Sequence, residues 1–93
     1  MFKTNDYFDG KVKSIAFHTA ECPATIGVMA AGDYEFGTAT VEYMTVTSGV
    51  MEVLLPGEDQ WKKFLPFETF IIEKDKVFKV KTTGDTAYLC LYK

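Results

Sequence analysis

Apolar and polar residues alternate along most of this chain with the two-residue period of a β-strand. Turn residues interrupt the alternation about every eight to twelve positions, a spacing typical of sandwiches and barrels of short strands. No segment has the 3.6-residue period of a helix. The pattern therefore predicts an all-β domain of short antiparallel strands. The predicted strands are residues 11–17, 25–29, 34–38, 43–47, 50–55, 60–64, 69–72, 77–81 and 87–92.

Turns rich in glycine and aspartate separate these strands. Glycine accepts a positive φ at low cost, and aspartate caps a turn with its own side chain, so both favour hairpins. The clearest turns are residues 31–33, 48–49, 56–59 and 83–85. No low-complexity or linker-like tract lies between them, so we expect residues 1–93 to form a single domain.

The parity of the strands predicts which side chains point inward. The sets that share a face are Tyr34, Phe36 and Thr38; Glu42, Met44 and Val46; Phe78 and Val80; and Tyr88, Cys90 and Tyr92. If these faces meet, they enclose a pocket walled by Phe36, Phe78 and Tyr88. Thr38 and Glu42 would be its polar points.

The composition suggests a second copy of the chain as a partner. Of the 93 residues, 47% are hydrophobic and 15% aromatic. A domain of this size buries only roughly 60 to 65% of the surface that its unfolded chain exposes, so association is a natural means of stabilisation. Phe2, Tyr7 and Phe8 lie in a segment too short and polar to form its own core. We expect this segment to cover a neighbour's sheet edge in a homodimer.

The charge distribution argues against nucleic acid as a partner. The formal net charge is −3, and the ten positive residues, all lysines, are spread along the chain. Phosphate backbones are bound by clustered cations. Because arginine is absent, a phosphate site would have to use lysine, hydroxyl groups and backbone N–H donors.

The sequence argues against several other classes of site. Cys22 and Cys90 are far apart and form no CxxC pair, so they predict neither a metal knuckle nor a redox motif. No apolar stretch reaches the roughly 18 residues of a membrane span, and the N-terminus does not resemble a secretory signal. The chain is expected to be cytoplasmic, with reduced cysteines and no membrane partner.

The run GDYEFGTATVEYMTVTSG, residues 32–49, resembles the first signature of the cupin barrels. Glu42 stands seven residues before the turn residue Gly49, but the positions of the paired histidines read Phe36 and Thr38. A centre of three imidazoles and one carboxylate cannot be built from the single imidazole of His18. The resemblance therefore implies a cupin or jelly-roll-like β-barrel that works without a metal, and argues against an oxygenase.

Longer segments identify the chain as a member of the pyrimidine/purine nucleoside phosphorylase family of small single-domain cupins. They are NDYFDGKVKSIAF at 5–17, ATIGVMAAGDYEFGTATVEYMTVTSG at 24–49, LLPGEDQW at 54–61 and TAYLCLYK at 86–93. The chain departs from the second cupin signature at 71–78, where IIEKDKVF replaces the usual proline, glycine and histidine.

This resemblance implies phosphorolysis of nucleosides, with inorganic phosphate as co-substrate, no other cofactor and broad tolerance of the base. Phe36, Phe78 and Tyr88 would bind the base, since every base offers a π-face for stacking. Glu42 would bind ribose hydroxyls or stabilise the oxocarbenium-like transition state. The residues expected to hold phosphate are Thr38, which we also count as catalytic, Thr25 and Lys13.

Each of these residues also has an explanation that requires no function. Glu42 and Lys13 could be solvated charges, the phenylalanines ordinary core and the threonines ordinary strand residues, while His18 is expected in an exposed loop. A second class of function also stays open, in which the cupin binds a nucleoside, a sugar or another small metabolite without converting it. Phosphate-dependent release of base would distinguish the enzyme from the binding module.

Overall fold

The computed structural model describes residues 1–93 and contains ten β-strands without a helix. The strands are β1 (Thr4–Tyr7), β2 (Val12–His18), β3 (Pro23–Met29), β4 (Gly32–Gly37), β5 (Glu42–Ser48), β6 (Met51–Leu54), β7 (Lys62–Phe64), β8 (Thr69–Ile72), β9 (Val77–Thr82) and β10 (Thr86–Tyr92). The all-β prediction is confirmed, and the ends of β2 to β10 lie within two residues of the predicted strands. Only β1 was not predicted.

The strands form two antiparallel sheets. One has six strands in the order β1-β2-β3-β10-β5-β8, and the other has four in the order β4-β9-β6-β7. From β4 onward the chain crosses repeatedly between the sheets, because β4, β6, β7 and β9 lie in the smaller sheet and β5, β8 and β10 in the larger one. Neighbouring strands are therefore often distant in sequence, as in a jelly roll.

A single hydrophobic core lies between the sheets. Its largest fully buried side chains include Phe78, Met29, Met51 and Ile72. The predicted inward faces are confirmed, because Tyr34, Met44, Val46, Phe78, Val80, Tyr88 and Cys90 all belong to this core. The alternation of the sequence thus gives the correct parity for β4, β5, β9 and β10.

The N-terminal segment forms an edge strand of the larger sheet. Thr4–Tyr7 pairs with β2 of its own chain, with Thr4 opposite Ile15 and Tyr7 opposite Val12. The connecting turn has positive φ angles at Phe8 (53°), Asp9 (56°) and Gly10 (84°). It is closed by hydrogen bonds from Gly10 N to Tyr7 O (3.1 Å) and from Lys11 N to Phe8 O (3.2 Å).

The outer faces of the two sheets differ in character. The larger sheet exposes Ile15, Ile26, Val28 and Ile71, each between 46% and 51% accessible. On the smaller sheet, Asp33 is paired with Lys81, Lys81 with Glu52, and Glu52 with Lys63, so opposite charges alternate across the strands. Alternating charge is typical of a solvated face, whereas the apolar face is unusual. The structure contains no helix long and apolar enough to cross a membrane.

Candidate functional site

A cavity of about 510 Å³ opens between the two sheets. This volume lies within the roughly 300 to 1,000 Å³ usual for small-molecule sites. Its aromatic lining residues are Tyr7, Phe8, Phe36, Phe78, Tyr88 and Tyr92. Its polar side chains are those of Ser14, Glu35, Thr40 and Glu42. The cavity is therefore an aromatic cup with carboxylates and hydroxyl groups on its wall.

The phenylalanine rings of the cup pack against one another. Phe36 and Phe78 face each other across β4 and β9, with ring centroids 5.6 Å apart and planes inclined by 31°. Phe8, from the β1–β2 turn, meets Phe36 edge-on at 5.6 Å. Such tilted and edge-to-face contacts are favourable for aromatic pairs. The rings thus form one continuous apolar wall.

Glu42 is the first residue of β5 and lies between Tyr92 of β10 and Ile72 of β8. Its side chain is half-buried, and the Cys90 thiol donates a hydrogen bond to Glu42 Oε1 with an S–O distance of 3.5 Å. Burial raises the pKa of this carboxyl group, and the bond from Cys90 lowers it by a smaller amount. The ionised form of Glu42 is thus poorly solvated, and a ligand that brings positive charge or hydroxyl donors would stabilise it.

The neighbouring acids stay protonated at neutral pH. Burial, with the nearby Cys90 as a lesser cause, raises the pKa of Tyr88 to about 12. Burial also raises the pKa values of Cys90 and Tyr92, in both cases with a further contribution from Glu42. Because a thiolate is the reactive form of cysteine, Cys90 is not suited to be a nucleophile. The tyrosines can instead donate hydrogen bonds.

Gly27 of β3 allows Tyr88 to form its part of the wall. The two residues are paired across β3 and β10, and the Tyr88 ring lies directly over the glycine. A Cβ added at Gly27 would lie 2.3 Å from Tyr88 Cζ, closer than atoms can approach. The missing side chain therefore leaves the space that the ring occupies.

The structure brings together four of the residues selected from sequence: Glu42, Phe36, Phe78 and Tyr88 all line the cavity. Thr38 does not belong to the lining. Its hydroxyl donates to Glu73 O (2.7 Å) and accepts from Lys76 N (3.0 Å), which ties the segment after β4 to the β8–β9 turn. Thr38 is therefore a buried residue that links two segments of backbone.

Thr25 and Lys13 also lie outside the cavity lining. Thr25 is buried behind it, with its hydroxyl 2.9 Å from the Tyr92 hydroxyl. Lys13 points away from the core, and its ammonium group lies 3.4 Å from Asp6 Oδ2 with 69% of its side chain accessible. Of these two residues, only Thr25 is connected to the cavity, through its contact with Tyr92.

Sequence reasoning missed Tyr7, Phe8, Ser14 and Tyr92, which all line the cavity. Tyr92 shares the inward face of Tyr88, so strand parity contained a signal for it. The dipeptide Asp9-Gly10 is a common hairpin signal and could have predicted the β1–β2 turn. That Phe8 and Tyr7 would reach the cavity follows only from how the hairpin packs.

The donor set does not fit the metal centre common in cupins. His18 is exposed at the end of β2, where its Nδ1 lies 2.6 Å from Thr19 O. No group of three or more histidine, cysteine, aspartate or glutamate side chains is arranged to hold a metal ion. These side chains therefore do not fit a cupin metal centre.

At the level of sequence, a family model and an individual relative point to the same family. A family model described as pyrimidine/purine nucleoside phosphorylase matches residues 2–92. A protein of Alcanivorax borkumensis that bears this name is 64% identical over 92 residues, which cover 99% of this chain and 98% of that protein.

Solved structures agree with the fold. A protein of unknown function from Vibrio parahaemolyticus superposes with a TM-score of 0.96 at 39% identity, covering 100% of this chain and 99% of the other. A cupin superfamily protein from Desulfitobacterium hafniense superposes with a TM-score of 0.72 at 13% identity, covering 95% of this chain and 79% of the other. The second likeness shows the cupin fold alone. The prediction of a cupin fold is therefore confirmed.

Proposed function

Because the chain belongs to the pyrimidine/purine nucleoside phosphorylase family, we propose that it cleaves purine and pyrimidine nucleosides with inorganic phosphate. In this reaction a phosphate oxygen forms a bond to C1′ of the sugar while the C1′–N bond breaks. The bonding electrons leave with the base, which takes up a proton. The products are the free base and a pentose 1-phosphate.

The observation that supports this proposal most strongly is the aromatic cup with Glu42 on its wall. A nucleoside has a flat aromatic base and a polar sugar, and the cavity offers rings for one and a carboxylate with hydroxyls for the other. Stacking on Phe36, Phe78 and Tyr88 accepts any base, because each base has a π-face. This arrangement supports broad base specificity as part of the proposal.

Glu42 has the properties needed at the sugar. Cleavage of the C1′–N bond passes through an oxocarbenium-like transition state, in which positive charge develops on the sugar. A half-buried carboxylate gains more from this charge than one in water, because the local dielectric constant is lower. In the ground state Glu42 would hold ribose hydroxyl groups.

Phosphate requires other donors, because the cavity lining contains no lysine. Ala39 and Thr40 line the cavity, and their backbone N–H groups donate to no protein acceptor. The segment is held at both ends, by the bond from Thr38 N to Lys76 O (2.9 Å) and by that from Lys93 N to Val41 O (2.8 Å). We propose that this segment, with the Thr40 hydroxyl, binds phosphate. Thr38 would then act by positioning the segment.

The remaining expectations are part of the same proposal. We propose a homodimer that works in the cytoplasm without a metal ion. Both cysteines are free, which suits a reducing compartment. If no metal takes part, the turnover rate after dialysis against a chelator equals that of the untreated enzyme. A loss of activity that added metal restores would contradict metal independence.

The test of the function uses purified protein with inosine or uridine, in the presence and absence of phosphate. We expect release of base that depends on phosphate and yields an equal amount of pentose 1-phosphate. Release of base without phosphate would indicate a hydrolase. Binding of both nucleosides without release of base would overturn the proposal in favour of a binding module.

A further inference from the structure

The turn between β1 and β2 holds a bulky residue in an unfavourable backbone conformation. Phe8 has a φ angle of 53°, in the left-handed region that large L-residues seldom adopt. A local conformation of this kind persists only where the surroundings compensate for it, and such residues are concentrated at functional sites. Asp9, next in the turn, has a similar φ of 56°, but aspartate tolerates it more readily.

The ring of Phe8 reaches the cavity from this turn. Its centroid lies 5.1 Å from that of Tyr34 and 5.6 Å from that of Phe36, and it meets the Phe36 ring edge-on at 88°. Phe8 lines the cavity, yet 43% of its surface remains accessible to solvent. The ring is therefore placed by its neighbours but is not buried as a core residue would be.

The two strands of the hairpin that carries Phe8 are bonded to each other along their length, and β2 in turn pairs with β3 of the same sheet. Asn5 Nδ2 donates to Ser14 Oγ at 3.2 Å, and Lys13 pairs with Asp6 at 3.4 Å. Ala16 N donates to Lys3 O at 2.8 Å, which extends the contact beyond β1. The pairing of β1 with β2 and of β2 with β3 fixes where the turn lies, and contacts with Tyr34 and Phe36 place the ring in the absence of a ligand.

We propose that Phe8 is a substrate-binding residue that stacks on the nucleobase at the open side of the cup, beside Phe36. This inference rests on the proposed function, because it assigns the base of the same nucleoside to Phe8. The contact with the base accounts for an accessible aromatic ring on a strained turn. Phe8 thus sets the affinity for the base, while Glu42 acts on the sugar.

The test compares Phe8→Asn, Phe8→Leu and Phe8→Tyr with the wild type. Asparagine suits the left-handed conformation but has no ring, leucine keeps apolar bulk without a π-face, and tyrosine keeps the ring. We expect the KM for inosine and uridine to rise about 10-fold or more in the asparagine and leucine variants, as for loss of one stacking contact. The KM for phosphate stays the same, and Phe8→Tyr stays within about 2-fold of the wild type.

Asp9→Asn is the matched control, because it alters the same turn at a residue that does not line the cavity. We expect this variant to keep the wild-type KM for nucleosides. Unchanged nucleoside KM values in Phe8→Leu, or an equal rise in Asp9→Asn, would overturn the role of Phe8. If Phe8→Asn fails to fold, the KM values of Phe8→Leu and Phe8→Tyr alone decide whether the ring of Phe8 contributes to nucleoside binding.

The two proposals fail in different ways. Absence of phosphorolysis in the wild type would contradict the proposed function. Normal phosphorolysis in the wild type, together with unchanged KM values in all Phe8 variants, would contradict only the role of Phe8. Isothermal titration of the wild type and Phe8→Leu with inosine in the absence of phosphate gives the expected loss of affinity independently of turnover.

Discussion

Glu42 combines two properties that oppose each other in the folded protein. Its carboxylate lines the cavity, where the proposed reaction would use it, but burial disfavours the ionised form and so raises the pKa of Glu42. The bond from the Cys90 thiol compensates for only part of this cost. Glu42 is thus a residue whose removal should harm activity while helping the fold.

Replacing Glu42 by glutamine tests its role in turnover. Glutamine keeps the size and hydrogen-bonding capacity of the side chain but cannot stabilise a positive charge. We expect kcat to fall at least about 100-fold, as for the loss of a group that acts mainly in the transition state. Steady-state kinetics with inosine measures this change. Equal kcat values in Glu42→Gln and wild type would remove Glu42 from the mechanism.

The same variant tests the pKa of Glu42 through stability. Since its pKa is raised in the folded state, the folded protein holds this proton more tightly than the unfolded chain. The free energy of unfolding should then fall as the pH rises from the ordinary carboxyl range through the raised folded pKa. Urea unfolding over a pH series should show a smaller fall in Glu42→Gln. Glu21→Gln, at an exposed glutamate, is the control. Its free energy of unfolding should depend on pH as that of the wild type does.

Thr38 should act through the segment that it holds. Thr38→Val keeps the shape of the side chain but leaves Glu73 O and Lys76 N without their partner. We expect a loss of about 1 to 3 kcal/mol of unfolding free energy. The KM for phosphate should also rise more than that for nucleosides. Thr38→Ser keeps the hydroxyl and should restore the phosphate KM, and failure of this rescue would argue against a positioning role.

At the scale of elements, strands distant in sequence build each wall of the cavity. Tyr88 on β10 depends on Gly27 of β3, and Phe78 on β9 depends on Phe36 of β4. Each pair is set by register, so a change on one strand displaces a ring carried by another. The β1–β2 hairpin contributes the part of the cavity wall that contains Phe8.

Gly27→Ala tests this dependence between β3 and β10. The new methyl group would overlap the Tyr88 ring, so the ring must move. We expect a loss of about 1 to 3 kcal/mol of unfolding free energy from overpacking, and weaker nucleoside binding. Gly84→Ala is the matched control, because nothing lies within 4 Å of its added Cβ. Thermal unfolding compares the stability of the two variants, and titration calorimetry compares their nucleoside binding. Equal effects of Gly27→Ala and Gly84→Ala would contradict the claim that Gly27 makes room for the Tyr88 ring.

At the scale of the whole molecule, the contrast between the two outer faces suggests where the proposed dimer would form its interface. With β1 paired within its own chain, the larger sheet offers an alternative interface on its apolar outer face. Six strands spaced about 4.8 Å apart and about 20 Å long present on the order of 600 Å². A standard interface buries about 800 Å² on each partner, so packing of two such faces gives an area of the right order.

Two exposed valines provide a matched test of this interface. Val28 on the larger sheet is 51% accessible and Val77 on the smaller sheet is 55% accessible. We expect the wild type to be a dimer by size-exclusion chromatography with light scattering, and Val28→Lys to be a monomer because it buries a charge. Val77→Lys should remain dimeric. A monomeric wild type at micromolar concentration would contradict the dimer, and a dimeric Val28→Lys would place its interface elsewhere.

The sequence by itself determined nine of the ten strands and the inward faces of β4, β5, β9 and β10, because a two-residue period directly reflects which side of a sheet is buried. It therefore placed four of the cavity residues on the inward faces of their strands: Phe36, Phe78, Tyr88 and Glu42. The resemblance to a family indicated their chemistry. Only the tertiary structure decided which faces meet. The register of β3 against β10 seats Tyr88 over Gly27, and the packing of a hairpin brings Phe8 to the cavity. Thr38 shows the same limit, since a hydroxyl bonds to whichever backbone groups the fold places within reach, and here these lie 35 and 38 residues along the chain.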